Sequence, residues 1–284
     1  MAILLALVSA IAYGIADFVG GVVTQRSSAW PVAVVAALTG AVAAVPVALL
    51  EGGSPTGGDW LLAAIGGTAL GIGSAFLYRG LASGQMTVVA PLSAVTTAVI
   101  PVGIGLALGE RPSTLAMLGI GVAIPAILLV ASAEGSADGA SGHQPTATKS
   151  NGVVDGLIAG TGFGVLFAAA GRIDEAAGLV PTILMQLAAV VGVVVVAVLL
   201  GEDWVPRERS AWRAWVVGPL VVGAIVALMF ATRTGLLSVV SVIASLYPAV
   251  TVLLAAALLG ERVGRLQAAG LALAAAAVSM VAAG

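Results

Sequence analysis

Residues 245–262 read SLYPAVTVLLAAALLGER, an apolar run that contains Pro248 and is stopped by a Gly-Glu-Arg turn. A run of this length suits a bilayer, whose hydrocarbon core requires about 20 apolar residues per helical crossing. The rest of the chain has the same character, since 60% of its 284 residues are hydrophobic and 8% are charged. In a soluble domain about a quarter of the residues are charged. The composition therefore predicts an integral membrane protein.

Clusters of charge, proline and glycine divide the sequence into ten apolar segments of roughly spanning length. The segments lie near 2–23, 30–50, 60–81, 85–108, 114–133, 152–171, 180–201, 212–232, 236–259 and 264–282. A stretch of small and polar residues separates the fifth segment from the sixth and has the composition of a flexible linker. We expect an all-α integral membrane protein with a first five-helix repeat at 1–133, a polar linker at 134–151 and a second five-helix repeat at 152–284.

The two halves share a register. A shift of 151 residues places Gly109-Glu110-Arg111 on Gly260-Glu261-Arg262, and a shift of 150 places Tyr13-Gly14 on Phe163-Gly164. Each half has an odd number of segments, so the second half enters the membrane from the opposite side. The sequence thus predicts ten transmembrane helices arranged as two inverted-topology repeats, an arrangement typical of alternating-access transporters.

The sequence also resembles the EamA-type family of the drug/metabolite transporter superfamily. The resemblance rests on AYGIADFVGG at 12–21, VVAPLSA at 88–94 and SLYPAVTVLLAAALLGER at 245–262. It implies a ten-helix fold with a central cavity between the halves, and export, or sometimes uptake, of small metabolites or drugs. It does not name a substrate, because substrates differ widely among members.

Asp17 is the main candidate for substrate binding or coupling, because a carboxylate inside an apolar run costs about 2.5 kcal/mol or more at mid-depth. It could bind a cationic group or exchange a proton against the substrate. A carboxylate near the interface, snorkelling or paired with Arg26, is the alternative. Tyr13 lies four residues earlier on the same helix face, with Gly14 beside it, and could line a cavity or simply pack.

The fourth and ninth segments carry the densest polar and proline content at membrane depth. Proline removes a backbone donor and frees a carbonyl group, which hydroxyl groups, water or a ligand must then satisfy. These helices could be broken helices that present polar groups to substrate. They could equally be packing kinks whose hydroxyl groups bond their own helix. The candidates are Pro91, Ser93, Thr96 and Thr97 in the fourth segment, and Ser245, Tyr247 and Pro248 in the ninth.

Gln186 is the one amide in the seventh segment, and an interhelical hydrogen bond explains it as well as a substrate contact does. Glycines spaced by four, such as Gly156, Gly160 and Gly164, are interpreted as sites of close helix packing. The two Gly-Glu-Arg turns are interpreted as structural helix stops.

These observations favour a secondary transporter of a small organic metabolite or drug that works by alternating access, with proton coupling through Asp17, and the resemblance implies an exporter. Facilitative uptake would use the same fold. We expect neither an enzyme nor a bound cofactor or metal, because no cysteine is present and the single histidine, His143, lies in the linker. The scattered basic residues also argue against a nucleic-acid partner. The expected partners are a small-molecule substrate, the lipid bilayer and a proton.

The expected location is a cell (plasma) membrane, with multiple crossings. Lysine and arginine are more numerous on the face that would carry the linker, so the positive-inside rule places that face in the cytoplasm and both termini outside. The resemblance implies the opposite orientation. The orientation of the termini therefore stays open.

Overall fold

A computed structural model describes residues 1–83, 86–131, 151–260 and 263–283. Helices are the only regular secondary structure in this part of the chain. They are α1 (Ala2–Thr24), α2 (Ala29–Glu51), α3 (Gly57–Ala82), α4 (Met86–Ala107), α5 (Thr114–Ala131), α6 (Gly152–Ala170), α7 (Pro181–Leu200), α8 (Val217–Thr234), α9 (Leu237–Ala244), α10 (Tyr247–Leu259) and α11 (Arg265–Ala283). A six-residue turn of 3-10 helix, Ala211–Val216, leads into α8.

The helices lie where the apolar segments predict them, with the ninth segment divided between α9 and α10. Among the described residues, eight helices are long and apolar enough to cross a membrane when Leu237–Leu259 is counted as one. Two shorter apolar helices are Leu92–Ala107 and Thr114–Val130. The number of ten crossings therefore stays a prediction. Apart from Asn151, the predicted linker lies outside the described residues, as does the side chain of Pro91.

The most extensive packing joins helices of the first half of the chain to helices of the second. α3 packs along both α6 and α7, α4 packs along α6, α5 packs along α11, and α1 packs along α8. Neighbours along the chain, such as α1 and α2, contact each other much less. The two halves are therefore interleaved and do not form two separate bundles.

Close approach of the helices depends on glycine at their crossings. At Gly67 and Gly71 of α3, an added Cβ would collide with the backbone of α7 at the carbonyl groups of Met185 and Ala189. Gly160 of α6 in the same way lies against the carbonyl group of Ser93 in α4. In lipid no hydrophobic force draws apolar helices together, so van der Waals contact at such positions provides much of the association.

The first Gly-Glu-Arg turn is more than a helix stop. The carboxylate of Glu110 accepts hydrogen bonds from the backbone N–H groups of Leu237 (2.7 Å) and Ser238 (2.9 Å) at the start of α9. A negative charge there satisfies free donors and interacts favourably with the positive end of the helix dipole. Glu110 thus ties the end of α4 in the first half to the beginning of α9 in the second. Nothing in the sequence around Glu110 predicts this contact, because its partners are more than 120 residues away along the chain.

Two ion pairs join the halves at opposite ends of the bundle. Arg79, near the end of α3, pairs with Asp155 in the first turn of α6. Arg233, near the end of α8, pairs with Glu51 at the end of α2 over 2.7 Å. Each guanidinium also stacks on a phenylalanine one turn earlier in its own helix. Arginines near helix ends can extend their guanidinium groups to the lipid headgroups, but both of these form ion pairs with residues of another helix.

We predict that Asp155→Asn destabilises the protein strongly. The Asp155 side chain is fully buried and that of Arg79 is 17% exposed, so removing one partner leaves a largely desolvated charge. This should cost about 3 kcal/mol of unfolding free energy, measured by chemical or thermal unfolding in detergent. Asp203→Asn is the matched control, because Asp203 and Arg207 form an exposed ion pair, and exposed ion pairs contribute little to the free energy of unfolding. Equal stability of the two variants would contradict the prediction.

Candidate functional site

One face of α1 carries a line of polar side chains at four-residue intervals, Ser9, Tyr13 and Asp17. Four-residue spacing places side chains one above the other on a helix. The buried hydroxyl of Ser9 donates to the carbonyl oxygen of Ala224 in α8 over 2.9 Å, which fixes this face of α1 towards the protein interior. Tyr13 is buried and Asp17 is partly exposed. The sequence prediction that Tyr13 and Asp17 share a face is confirmed.

All three tyrosines of the chain surround Asp17. Tyr13, Tyr78 and Tyr247 each lie close enough to interact electrostatically with its carboxylate. The Tyr78 hydroxyl reaches α1 at Gly20, where an added Cβ would be only 2.6 Å from it. The tyrosines come from three helices, α1, α3 and α10. The carboxylate therefore lies in a cluster that only the folded chain brings together.

The aromatic rings extend this cluster into the second half. The ring centroid of Tyr13 is 5.4 Å from that of Phe167 in α6 and 6.4 Å from that of Tyr247. Phe167 occupies the place in the second repeat that Asp17 occupies in the first. The structure thus places both Asp17 and its repeat counterpart, Phe167, beside Tyr13.

Asp17 forms no hydrogen bond or ion pair with any residue in the described part of the chain. Arg79 and Arg233 are paired with other carboxylates. Arg26, the alternative partner considered from the sequence, is exposed beyond the end of α1 and does not form an ion pair with Asp17. The carboxylate therefore has aromatic and hydroxyl neighbours but no counter-charge among the described residues.

The ninth segment is broken at Ser245–Leu246, as its proline suggested. α9 ends at Ala244, and α10 starts at Tyr247 with Pro248 in its first turn. Proline is favourable there because its missing N–H has no partner in the first turn of a helix. The hydroxyl of Ser245 donates back to the carbonyl oxygen of Ser241 over 2.7 Å. Ser245 therefore bonds its own helix, whereas the break places Tyr247 in the aromatic cluster.

α4 supplies hydroxyl groups beside Tyr247 and is not broken. Ser93 and Thr97 are fully buried, and both lie against the Tyr247 hydroxyl. Thr97 also donates to the carbonyl oxygen of Ser93 over 2.8 Å, and Thr96 donates to that of Leu92 over 2.7 Å. Thr96 thus bonds its own helix, whereas Ser93 and Thr97 border the cluster.

Two further candidates lie elsewhere. Gly14 marks the crossing of α1 with α10, since an added Cβ would be 2.7 Å from the carbonyl oxygen of Tyr247, and the Gly14 carbonyl accepts from Thr251 over 3.1 Å. Its position is that of a packing residue. Gln186 lies in a separate cavity, one wall of which is formed by Tyr78.

Sequence reasoning missed Tyr78 as a member of the site. Its hydroxyl contacts α1 at Gly20 only in the folded chain, so no local sequence pattern marks it. The one available signal was composition, because tyrosine occurs three times in 284 residues and each occurrence lies in an apolar segment.

The fold and the site together define a helical membrane protein in which a cluster of polar and aromatic side chains lies between helices of its two halves. The chain belongs to the EamA-like transporter family, whose model matches residues 1–132 and 150–283. Members of this family are transporters within the drug/metabolite transporter superfamily, and the chain is a multi-pass integral membrane protein. The resemblance inferred from the sequence is thus confirmed.

A solved structure described only as "Crystal structure of protein" has a similar fold. Its TM-score is 0.72 over 98% of this chain and 95% of that chain, at 17% sequence identity. At this identity the likeness concerns the fold alone. No protein with curated annotation matches the sequence.

We predict that Tyr13→Phe leaves the protein at least as stable as the wild type while lowering transport. The Tyr13 hydroxyl is buried without a hydrogen-bond partner in the described part of the chain, and such a group costs about 1–3 kcal/mol. Its removal should therefore not lower the unfolding free energy. Tyr247→Phe is the control, because it removes a hydroxyl that lies beside Thr97 and should cost about 1 kcal/mol. Strong destabilisation by Tyr13→Phe would show that its hydroxyl has a structural role.

Proposed function

We propose that the protein is a secondary transporter of the plasma membrane that exports a small amphipathic or cationic organic solute in exchange for protons. Asp17 is the residue at which the proton and the solute compete. Transport proceeds by alternating access, in which the two halves of the chain move against each other around this carboxylate.

The observation that carries the proposal is the absence of a counter-charge for Asp17 among the described residues. A charge at membrane depth costs about 2.5–3.5 kcal/mol on insertion scales, and more on an isolated helix. A proton or a cationic group can relieve this cost, and both cannot occupy the carboxylate together. Mutually exclusive occupancy is the requirement for exchange of one for the other.

The tyrosine cluster supports an organic cation as the species that competes with the proton for Asp17. Aromatic faces attract cations through the ring quadrupole, and the attraction strengthens when water is excluded. Tyr13, Tyr78 and Tyr247 come from different helices, so a ligand between them contacts both halves of the chain. Binding at this position can therefore influence how the halves pack.

The packing of the helices supports two inverted repeats. In two such repeats α1 corresponds to α6 and α3 to α8, so the α1–α8 contact corresponds to the α6–α3 contact, and both are among the most extensive. The α5–α11 and α2–α7 pairs each join a helix to its own counterpart. A pseudo-two-fold relation of this kind gives a transporter two equivalent ways to open, one towards each membrane face.

The contacts at the two ends of the bundle support alternate opening. The Arg79–Asp155 pair joins α3 to α6, and the Arg233–Glu51 pair joins α8 to α2. Glu110 adds a link from the end of α4 to α9 at the end where Glu51 lies. Release of the contacts at one end while those at the other persist would open the site to one side only.

The test is transport in proteoliposomes of wild type and Asp17→Asn, with and without a pH gradient, across quaternary ammonium compounds, amino acids and sugars. We expect the wild type to move a cationic solute faster with a gradient. Asp17→Asn should lose the gradient response and transport about tenfold less, within the usual range of coupling energies.

Asp203→Asn, in an exposed loop, is the matched control and should behave as wild type. Full transport by Asp17→Asn together with no effect of the gradient would overturn proton exchange. That result would favour facilitative uptake through the same fold.

A further inference from the structure

Gln186 of α7 is a buried amide without a partner in the described part of the chain. Its side chain is 1% exposed, and neither its nitrogen nor its oxygen has a hydrogen-bond partner there. Polar side chains of membrane helices usually bond across to a neighbouring helix. The interhelical bond that could have explained this glutamine is not formed. A group that does not belong to this part of the chain is therefore needed to satisfy the amide.

The amide lies at a cavity between α2, α3, α7 and α8. The volume of the cavity that is open to the centre of a water-sized molecule is about 20 Å³. One water molecule needs about 10–15 Å³ by the same measure. The lining is mostly small and apolar, with Ser74 and Tyr78 as its other polar side chains. The cavity thus has room for a small hydrogen-bonding group beside Gln186.

Gly40 shapes the position of the amide. An added Cβ at Gly40 would be 2.7 Å from the Gln186 nitrogen, so any side chain at this position in α2 would push the amide aside. The glycine leaves the end of the glutamine in place at the cavity wall. This gives a second way to disturb the amide, without changing its chemistry.

Tyr78 connects this cavity to the Asp17 cluster. Its side chain forms part of the cavity wall, while its hydroxyl lies against α1 at Gly20, three residues after Asp17. The tyrosine also interacts electrostatically with the Asp17 carboxylate. Tyr78 therefore borders both the cavity and the cluster, so a solute that is bound at Asp17 and extends past this tyrosine would reach Gln186.

We infer that Gln186, with Ser74 and Tyr78, forms a second subsite that binds an uncharged hydroxyl or carboxamide group of the transported solute. A glutamine amide both donates and accepts hydrogen bonds and carries no charge, which suits a group with the same properties. The solute class is then a small amine that bears a hydroxyl or carboxamide at its far end. This inference rests on the proposed function, in which Asp17 binds the amine.

The experiment compares unbranched primary alkylamines of increasing length with the same amines carrying a terminal hydroxyl or carboxamide. Binding to the full chain in detergent is measured by isothermal titration and by the rise in melting temperature that a ligand of the folded state produces. The variants are Gln186→Met, which keeps the length of the side chain, and Gln25→Met, at an exposed glutamine after α1.

The wild type and Gln25→Met should prefer the hydroxyl- or carboxamide-bearing amine about tenfold at the best length, the value of one net hydrogen bond. Gln186→Met should bind the plain amines as the wild type does and lose the preference. Gly40→Ala should reduce the preference as well, which provides a second variant if Gln186→Met folds poorly.

Two failures are distinguishable. If the amines bind and Asp17→Asn weakens their binding, but the preference is unchanged in Gln186→Met and Gly40→Ala, the subsite is overturned and the amide is satisfied by water only. If no amine binds the wild type, or Asp17→Asn binds them equally well, the cationic substrate of the proposed function fails and the subsite fails with it.

Discussion

Backbone contact between helices of the two halves is the interaction on which the rest of this structure depends. In a bilayer, lipid is as apolar as the helix surfaces, so association relies on close packing and on polar contacts. Gly67 of α3 lies on the backbone of α7, and Gly160 of α6 lies on the backbone of α4. Gly14 and Gly20 of α1 in the same way lie against Tyr247 of α10 and Tyr78 of α3, which brings the three tyrosines together around Asp17. A larger residue at such a crossing would separate the halves and disperse the cluster.

Within this tight packing, polar groups divide into two kinds. Ser9, Thr96 and Ser245 each donate to a backbone carbonyl group, and Glu110 satisfies the start of a helix. These groups stabilise the fold. The amide of Gln186 and the hydroxyl of Tyr13, by contrast, are buried without partners in the described part of the chain. The Tyr13 hydroxyl lies beside Asp17 and the Gln186 amide lies in the neighbouring cavity, which is the reason for proposing that the transported solute binds there.

The sequence predicted the helices well because membrane segments must be apolar throughout, so their ends are marked by charge, glycine and proline. It predicted the shared face of Tyr13 and Asp17 because helical spacing is regular. It did not predict the roles of Tyr78, Asp155 and Glu110, since their partners lie on distant helices. Proline predicted a helix break correctly in one of the two segments only. Pro248 follows a break, whereas α4 continues through Pro91 and Pro101, because tertiary packing as well as the proline decides whether a helix is interrupted.

The central claim is that one polar site between the halves is reachable from each membrane face in turn. The chain contains no cysteine, so Ser93→Cys provides a single thiol that borders the cluster around Asp17. Its reaction with a membrane-impermeant thiol reagent should be measured in sealed vesicles of both orientations, with Val191→Cys on the exposed apolar surface of α7 as the control. The account predicts that Ser93→Cys is modified from either face, that a bound solute raises the rate from one face and lowers it from the other, and that Val191→Cys does not react. Modification of Ser93→Cys from one face only, with or without solute, would contradict it.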